Sequence, residues 1–184
     1  MSTDLITFDA EQKSLIKATL ARNCTDTEFA MLLYQAKTLQ LDPLRKQIWA
    51  VKFADQPALI FVGRDGYLQI AHRSGQFDGM ESGVKKNEDG VVVGWAKVYR
   101  KDMSHPIYKE VLLTEYDKKQ GNWKVMPHTM ITKTAESQAL RAAFAISGVY
   151  SPEEFGEKEP AIVDMGEIPA EAIKSKNQKK IIEA

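Results

Sequence analysis

The stretch from Phe77 to Trp123 constrains the fold most, because its side chains follow a β pattern through three consecutive segments. Strands are predicted near residues 77–83, 91–100 and 106–116. The turn-forming residues between them leave only short connections, which join antiparallel neighbours, whereas parallel strands need long crossovers. A three-stranded antiparallel sheet with one apolar face needs another element to cover that face.

One long helical pattern follows this β region and can supply the cover. A helix is predicted from about His128 to Ser147, with Gly148 in the position of a C-terminal stop. At about 100° per residue, one side carries mostly alanine and isoleucine: Ile131, Ala135, Ala139, Ala142, Ala143 and Ile146. The other side is polar, with Lys133, Thr134, Ser137, Gln138 and Arg141. The predicted fold class is therefore α+β, an antiparallel sheet with a long helix packed on it.

Before the sheet, the sequence predicts two N-terminal helices and a β-hairpin. A capping box, in which an acceptor side chain precedes Gln or Glu by three residues, begins at Asp9 and again at Thr25. A hairpin is predicted within residues 47–62. Asp65 is expected to cap a short helix that ends near Arg73.

The chain is expected to form one domain with a tail. With 184 residues, of which 43% are hydrophobic, it can bury a substantial core. Residues 156–184 lack tryptophan and tyrosine and carry Pro160, Pro169 and scattered charges. The predicted division is a domain over residues 1–155 and a flexible C-terminal tail over 156–184.

Membrane and secretory signals are not found in the sequence. No stretch approaches the roughly 18 consecutive apolar residues of a membrane span, and the first residues lack the basic and apolar regions of a signal peptide. The single cysteine, Cys24, excludes an internal disulfide framework. These features predict a cytoplasmic protein.

The sequence offers no arrangement typical of catalysis. His72, His105 and His128 are far apart and show no metal-ligand spacing. The stretch around Gly63 and Gly66 lacks the Gly-Lys-Ser/Thr ending of an ATP-binding P-loop. We therefore expect neither an enzyme nor a bound metal or cofactor.

Charge and flat side chains suit an anionic, base-bearing partner. The chain as a whole has 25 basic and 25 acidic residues, but residues 85–141 hold eleven Lys and Arg, Lys124 among them, against seven Asp and Glu. Trp95, Lys97 and Tyr99 alternate along one strand face that leads into Arg100 and Lys101. Cations interleaved with aromatic rings are typical of single-strand binders. The same pattern also fits an ordinary α+β domain, with Trp95 and Tyr99 in its core and the cations on a surface helix.

Several short motifs, in order along roughly 125 residues, resemble the RecT/Redβ family of phage recombination proteins, particularly its Bet branch. They include Asp26-x-x-Phe29-x-x-Leu32-Leu33, Lys46-Gln47-Ile48-Trp49-Ala50, Val62-Gly63-Arg64-Asp65-Gly66-Tyr67, Gln76-Phe77-Asp78-Gly79-Met80 and Ala139-Leu140-Arg141-Ala142-Ala143-Phe144. The resemblance implies annealing of complementary single-stranded DNA without ATP, by rings or filaments of a β-β-β-α core. It also implies a partner 5'-3' exonuclease and the host single-strand binding protein. Basic residues lining the DNA groove would be Lys46, Arg64, Arg100, Lys101, Lys133 and Arg141.

Together, the patterning and the resemblance predict a site for single-stranded DNA and its annealed duplex. Its predicted contacts are Arg141, Lys133, Lys46, Arg64, Arg100, Lys101, Lys97, Lys124, Ser137 and Gln138. Two alternatives stay open: a protein that coats single-stranded DNA without annealing it, and a module that binds a replication or repair protein.

Overall fold

The computed structural model describes residues 6–53 and 56–154. Its helices are α1 (Ala10–Leu20), α2 (Asp26–Leu39), α3 (Arg64–Arg73), α4 (Leu113–Tyr116), α5 (Gly121–Val125) and α6 (Pro127–Ala143). Its strands are β1 (Ile48–Val51), β2 (Leu59–Val62), β3 (Phe77–Lys86), β4 (Val92–Arg100) and β5 (Ile107–Leu112). Short 3-10 turns cover Pro43–Arg45 and Pro152–Glu154. The predicted tail, residues 156–184, lies outside the described residues.

The central layer is an antiparallel sheet in the order β3-β4-β5, with α6 packed across one face. Gly94, Ala96 and Val98 alternate on the face of β4 that α6 covers. At Gly94 the helix comes so close that an added Cβ would lie 2.5 Å from the carbonyl oxygen of Ile131. The predicted α+β class, with an antiparallel sheet and a long helix on it, is confirmed.

Helix α6 ends four residues earlier than predicted, at Ala143 rather than Ser147. Ala145 adopts the left-handed conformation (φ 49°), and the amide of Ile146 donates to the carbonyl of Arg141 at 3.0 Å. This bond, from six residues to one, is a Schellman ending. Ile146 is still buried after the reversal, so the apolar spacing continues although the helix does not.

The third strand is shorter than the predicted 106–116, and the first is longer than 77–83. Leu112 pairs with Val93, one residue from the start of β4. A longer β5 would have no backbone partner, so the chain turns into α4 instead. In contrast, β3 keeps pairing as far as Lys86, opposite Val92.

The N-terminal predictions are confirmed apart from one cap. Asp9 and Thr25 both form complete capping boxes. The strands β1 and β2 pair as an antiparallel hairpin. Helix α3, however, begins after Gly63 with no side-chain cap, and Asp65 lies inside its first turn with an exposed carboxylate. No helix in the described part of the chain is long and apolar enough to cross a membrane.

Candidate nucleic-acid interface

The polar side predicted for α6 is largely buried. Thr134 and Ser137 are 0% exposed, whereas Ala142, predicted to face the core, is exposed. The helical-wheel prediction is therefore wrong at these three positions. The helix packs against the sheet on one side and against α3, α5 and the turn Pro152–Glu154 elsewhere, so almost its whole circumference is covered. Exposed or half-exposed residues remain near its two ends.

The first exposed end of α6 forms an open depression with β3 and the start of α3. Its lining includes Gly83, Val84, His128, Thr129, Thr132 and Lys133. Arg64 and Glu136 also line it, and the Nε of Arg64 donates a hydrogen bond to the carboxylate of Glu136. The hydroxyl of Ser82 donates to the other carboxylate oxygen at 2.5 Å.

These contacts fix the direction of the Arg64 guanidinium. Glu136 is 7% exposed in its side chain and Arg64 is 35% exposed, so a buried acid holds a cation at the surface. The guanidinium has five N–H donors, and one is used by Glu136. The arrangement leaves donors beside Lys133 for an anion in the depression.

The second exposed end of α6 forms another depression, on the β5 side, around Arg141. It is lined by Lys109, Gln138, Arg141, Ala142, Ile146 and Glu154. Arg141 Nη1 donates to Glu154 Oε2 at 2.5 Å, and Gln138 Nε2 donates to the Tyr116 hydroxyl at 2.8 Å. Lys133 and Arg141 are eight residues apart on one helix, which corresponds to about 12 Å of rise.

Arg100 is held by three groups of the protein itself. Its Nε and Nη2 donate to the carboxylate of Asp102 at 2.8 and 2.6 Å, and its Nη1 donates to the carbonyl of Ala143. The guanidinium also lies 5.0 Å from the ring centre of Phe144. These contacts satisfy a carbonyl at the end of α6, a supporting role that the sequence did not indicate.

Lys97 lies on the face of the sheet opposite α6. Its ammonium is 5.8 Å from the Trp95 ring centre and 6.0 Å from that of Tyr108. The two elements predicted to hold DNA, the Trp95 face and the polar side of α6, therefore lie on opposite sides of the sheet. Of the remaining predicted contacts, Lys46, Lys101 and Lys124 are all exposed.

Two basic residues near Arg141 were not singled out from the sequence. Lys109 pairs with Ala96, so it faces α6 together with Val111, and strand alternation could have placed it there. Lys118 donates from Nζ to the carbonyl of Pro152 at 3.3 Å. It follows α4, and no sequence pattern indicated its contact with a residue 34 positions away.

The candidate catalytic residues have structural surroundings. His72 packs edge-on against Phe77, with ring centres 4.7 Å apart. Burial raises the pKa of the Cys24 thiol, which keeps it protonated at neutral pH. Among residues 6–53 and 56–154, no group of three His, Cys, Asp or Glu side chains could hold a metal ion.

Comparison with known proteins gives the ancestry of this fold. Residues 7–164 match the model of the RecT family. The chain belongs to the RecT family. A member of known identity, the "Recombination protein bet" of Escherichia phage lambda, is 30% identical over 142 residues, covering 72% of this chain and 52% of that protein. This RecT-family chain therefore spans about half the length of the curated relative that it matches.

Proposed function

We propose that this RecT-family protein binds single-stranded DNA along α6 and anneals complementary strands without ATP, in phage-type homologous recombination. The observation that carries the proposal is the placement of Lys133 and Arg141 at the two exposed ends of one otherwise buried helix. Cations on a rigid element can hold a phosphate backbone in a fixed direction while its bases remain free to pair. The relative's description as a recombination protein supports the same function.

The DNA path runs from the Arg64–Lys133 depression to the Arg141 depression. Gln138 offers an amide beside Arg141, and Lys109 adds a cation from β5. Exposed Lys46, Lys101 and Lys124 would extend the contact beyond α6. Ser137 is buried and Lys97 lies across the sheet, so neither reaches this path in the protomer.

Oligomerisation supplies the affinity that one protomer lacks. The chain has equal numbers of basic and acidic residues, so the net attraction to DNA is local and modest. A ring or filament aligns many copies of the path on one strand, and the phosphate contacts then act together. A 5'-3' exonuclease and a single-strand binding protein in the cytoplasm of a bacterial host are the proposed partners.

The test follows the pairing of two complementary, fluorescently labelled oligonucleotides in the absence of nucleotide. The parent protein is expected to accelerate pairing, and Lys133→Ala with Arg141→Ala is expected to abolish the acceleration. Lys13→Ala with Lys86→Ala is the matched control, because both side chains are exposed and lie away from the two depressions.

Each outcome of this test has one meaning. Binding without accelerated pairing would indicate a coating protein. No binding, even at low salt, would leave a module that recognises another protein. Equal annealing by the α6 variant and the control, at equal folded content, would refute the DNA path.

A further inference from the structure

The last described segment of the chain returns to the core and lies against α6. Tyr150 exchanges two backbone hydrogen bonds with β2, from its own amide to Ile60 and from the amide of Val62 to its carbonyl, both at 2.9 Å. Ser151 is fully buried, and its hydroxyl lies 3.3 Å from that of Tyr67. The turn Pro152–Glu154 then packs against α6.

Glu154 is the partner of the central cation of the proposed DNA path. Its carboxylate accepts from Arg141 Nη1 at 2.5 Å, and the side chains are 17% and 26% exposed. The same carboxylate oxygen lies 3.3 Å from the amide nitrogen of Ser151, which donates to it. In this state the Arg141 donor that faces the depression is already occupied by an anion from the chain itself.

Glu153 lies among the neighbouring cations but is poorly satisfied. Its Oε2 is buried and has no hydrogen-bond partner among the described residues. Burial raises the pKa of its carboxyl, while the positive charges of Lys133 and Lys118 lower it. Ser137, one helical turn from both Lys133 and Arg141, also has a buried hydroxyl without a partner in the described part of the chain.

We propose that Lys118, Lys133 and Arg141 form a phosphodiester-binding site, which Glu153 and Glu154 fill in the DNA-free protomer and from which single-stranded DNA displaces them. This proposal rests on the proposed function and adds Lys118 and an internal competitor to it. Carboxylates and phosphates are recognised by the same charged donors, so one can replace the other. The unpartnered Glu153 oxygen makes the internal occupant easier to displace, because a buried acceptor without a donor costs free energy.

The exchange gives the protein a threshold for binding. A phosphate must compete with a carboxylate that is tethered beside Arg141, and a tethered competitor has a high effective concentration. Isolated phosphates would not displace it, whereas a DNA strand that engages several protomers at once would. The segment would therefore favour binding by assembled protomers over binding by single ones.

The test compares Glu153→Gln with Glu154→Gln, combined in the full chain, against the parent protein. Affinity for a labelled single-stranded oligonucleotide is measured by anisotropy at low salt. The double variant is expected to bind about tenfold more tightly, because loss of a charge pair of this kind corresponds to roughly one decade in affinity. Glu88→Gln with Asp89→Asn is the matched control, since it makes the same change in net charge at the exposed turn after β3.

The outcomes separate this proposal from the proposed function. If the Gln variant binds no more tightly than the charge-matched control while Arg141→Ala loses binding, the internal competitor is refuted and the DNA path stands. Weaker binding by the Gln variant would also refute it, because Glu154 would then be orienting Arg141 for DNA. If no variant and not the parent binds DNA, the proposed function itself fails.

A second measurement follows the segment directly and does not depend on a variant folding well. The amide of Glu154 donates to the carbonyl of Ser151 at 3.0 Å, and the amide of Ser151 donates to Glu154. Displacement breaks both bonds, so hydrogen exchange at these two amides in the parent protein should accelerate when single-stranded DNA is added. Unchanged or slower exchange under saturating DNA would refute displacement.

Discussion

Gly94 of β4 lies directly beneath the carbonyl oxygen of Ile131 in α6, where an added Cβ would be only 2.5 Å away. The sheet and the helix meet backbone to backbone at this point. Gly94→Ala should therefore force the helix off the sheet and lower the free energy of unfolding by about 2–3 kcal/mol. Urea unfolding followed by circular dichroism measures the change.

Gly83→Ala is the control for this substitution. Gly83 lies on the neighbouring strand, and its added Cβ would meet only the Trp95 ring at 3.4 Å, an ordinary contact distance. Its stability should stay within about 1 kcal/mol of the parent, in either direction. Equal losses for the two variants would mean that helix packing does not depend on the approach at Gly94.

The Arg64–Glu136 pair should behave as a partly buried ion pair. Removing one partner leaves the other charge without its counterion, so Arg64→Leu or Glu136→Leu alone should each cost about 2–3 kcal/mol. The double Leu variant should recover most of this loss, because apolar side chains can replace a buried pair. Thermal or urea unfolding of the four proteins gives the interaction energy, and additive losses would contradict the pairing.

Arg100 should matter more for stability than for DNA. Arg100→Ala removes the donor to the Ala143 carbonyl and the contact with Phe144, so we expect a loss of about 1–3 kcal/mol in the free energy of unfolding. Lys101→Ala, next to it and exposed, should leave stability unchanged. An annealing rate per folded protein that falls sharply in Arg100→Ala, with stability intact, would show the opposite role.

Local chemistry explains which parts of the fold were predictable from the sequence. The capping boxes at Asp9 and Thr25 involve partners three residues away, and strand alternation needs only neighbouring residues. The end of α6 was missed because Ile146 keeps its burial after the chain has reversed at Ala145. Periodicity reports burial and does not by itself report helix.

The candidate site was less predictable because its partners are distant in the sequence. A helical wheel assumes one covered face, yet α6 is also covered by α3 and by the turn Pro152–Glu154, which buries Ser137. Arg100 meets a carbonyl 43 residues away, and Arg64 meets Glu136 across 72 residues. A count of charges in residues 85–141 could not show which cations already have such partners.

The carboxylate of Glu28 should make stability sensitive to acid. Hydrogen bonds from Lys52 and from the amides of Thr25 and Ala58 lower its pKa from 4.5 to about 2. The stabilisation is therefore complete above pH 4.5, the usual value, and is lost as the pH falls from there toward 2. Glu28→Gln should be less stable than the parent at pH 7, and urea unfolding across this range should show the difference shrinking. Glu11→Gln, exposed in α1, is the control, and a difference that does not change with pH would contradict the assignment.

Salt dependence should count the phosphate contact made by Arg141. Each cation that neutralises a phosphate of single-stranded DNA contributes about 0.7 to the slope of log affinity against log salt concentration. Arg141→Ala should lower the magnitude of this slope by about 0.7 per protomer engaged. Lys13→Ala, an exposed cation on α1, should leave the slope unchanged. If Arg141→Ala weakened binding without changing the slope, Arg141 would be acting through the fold of the segment that ends at Glu154 and not through a phosphate.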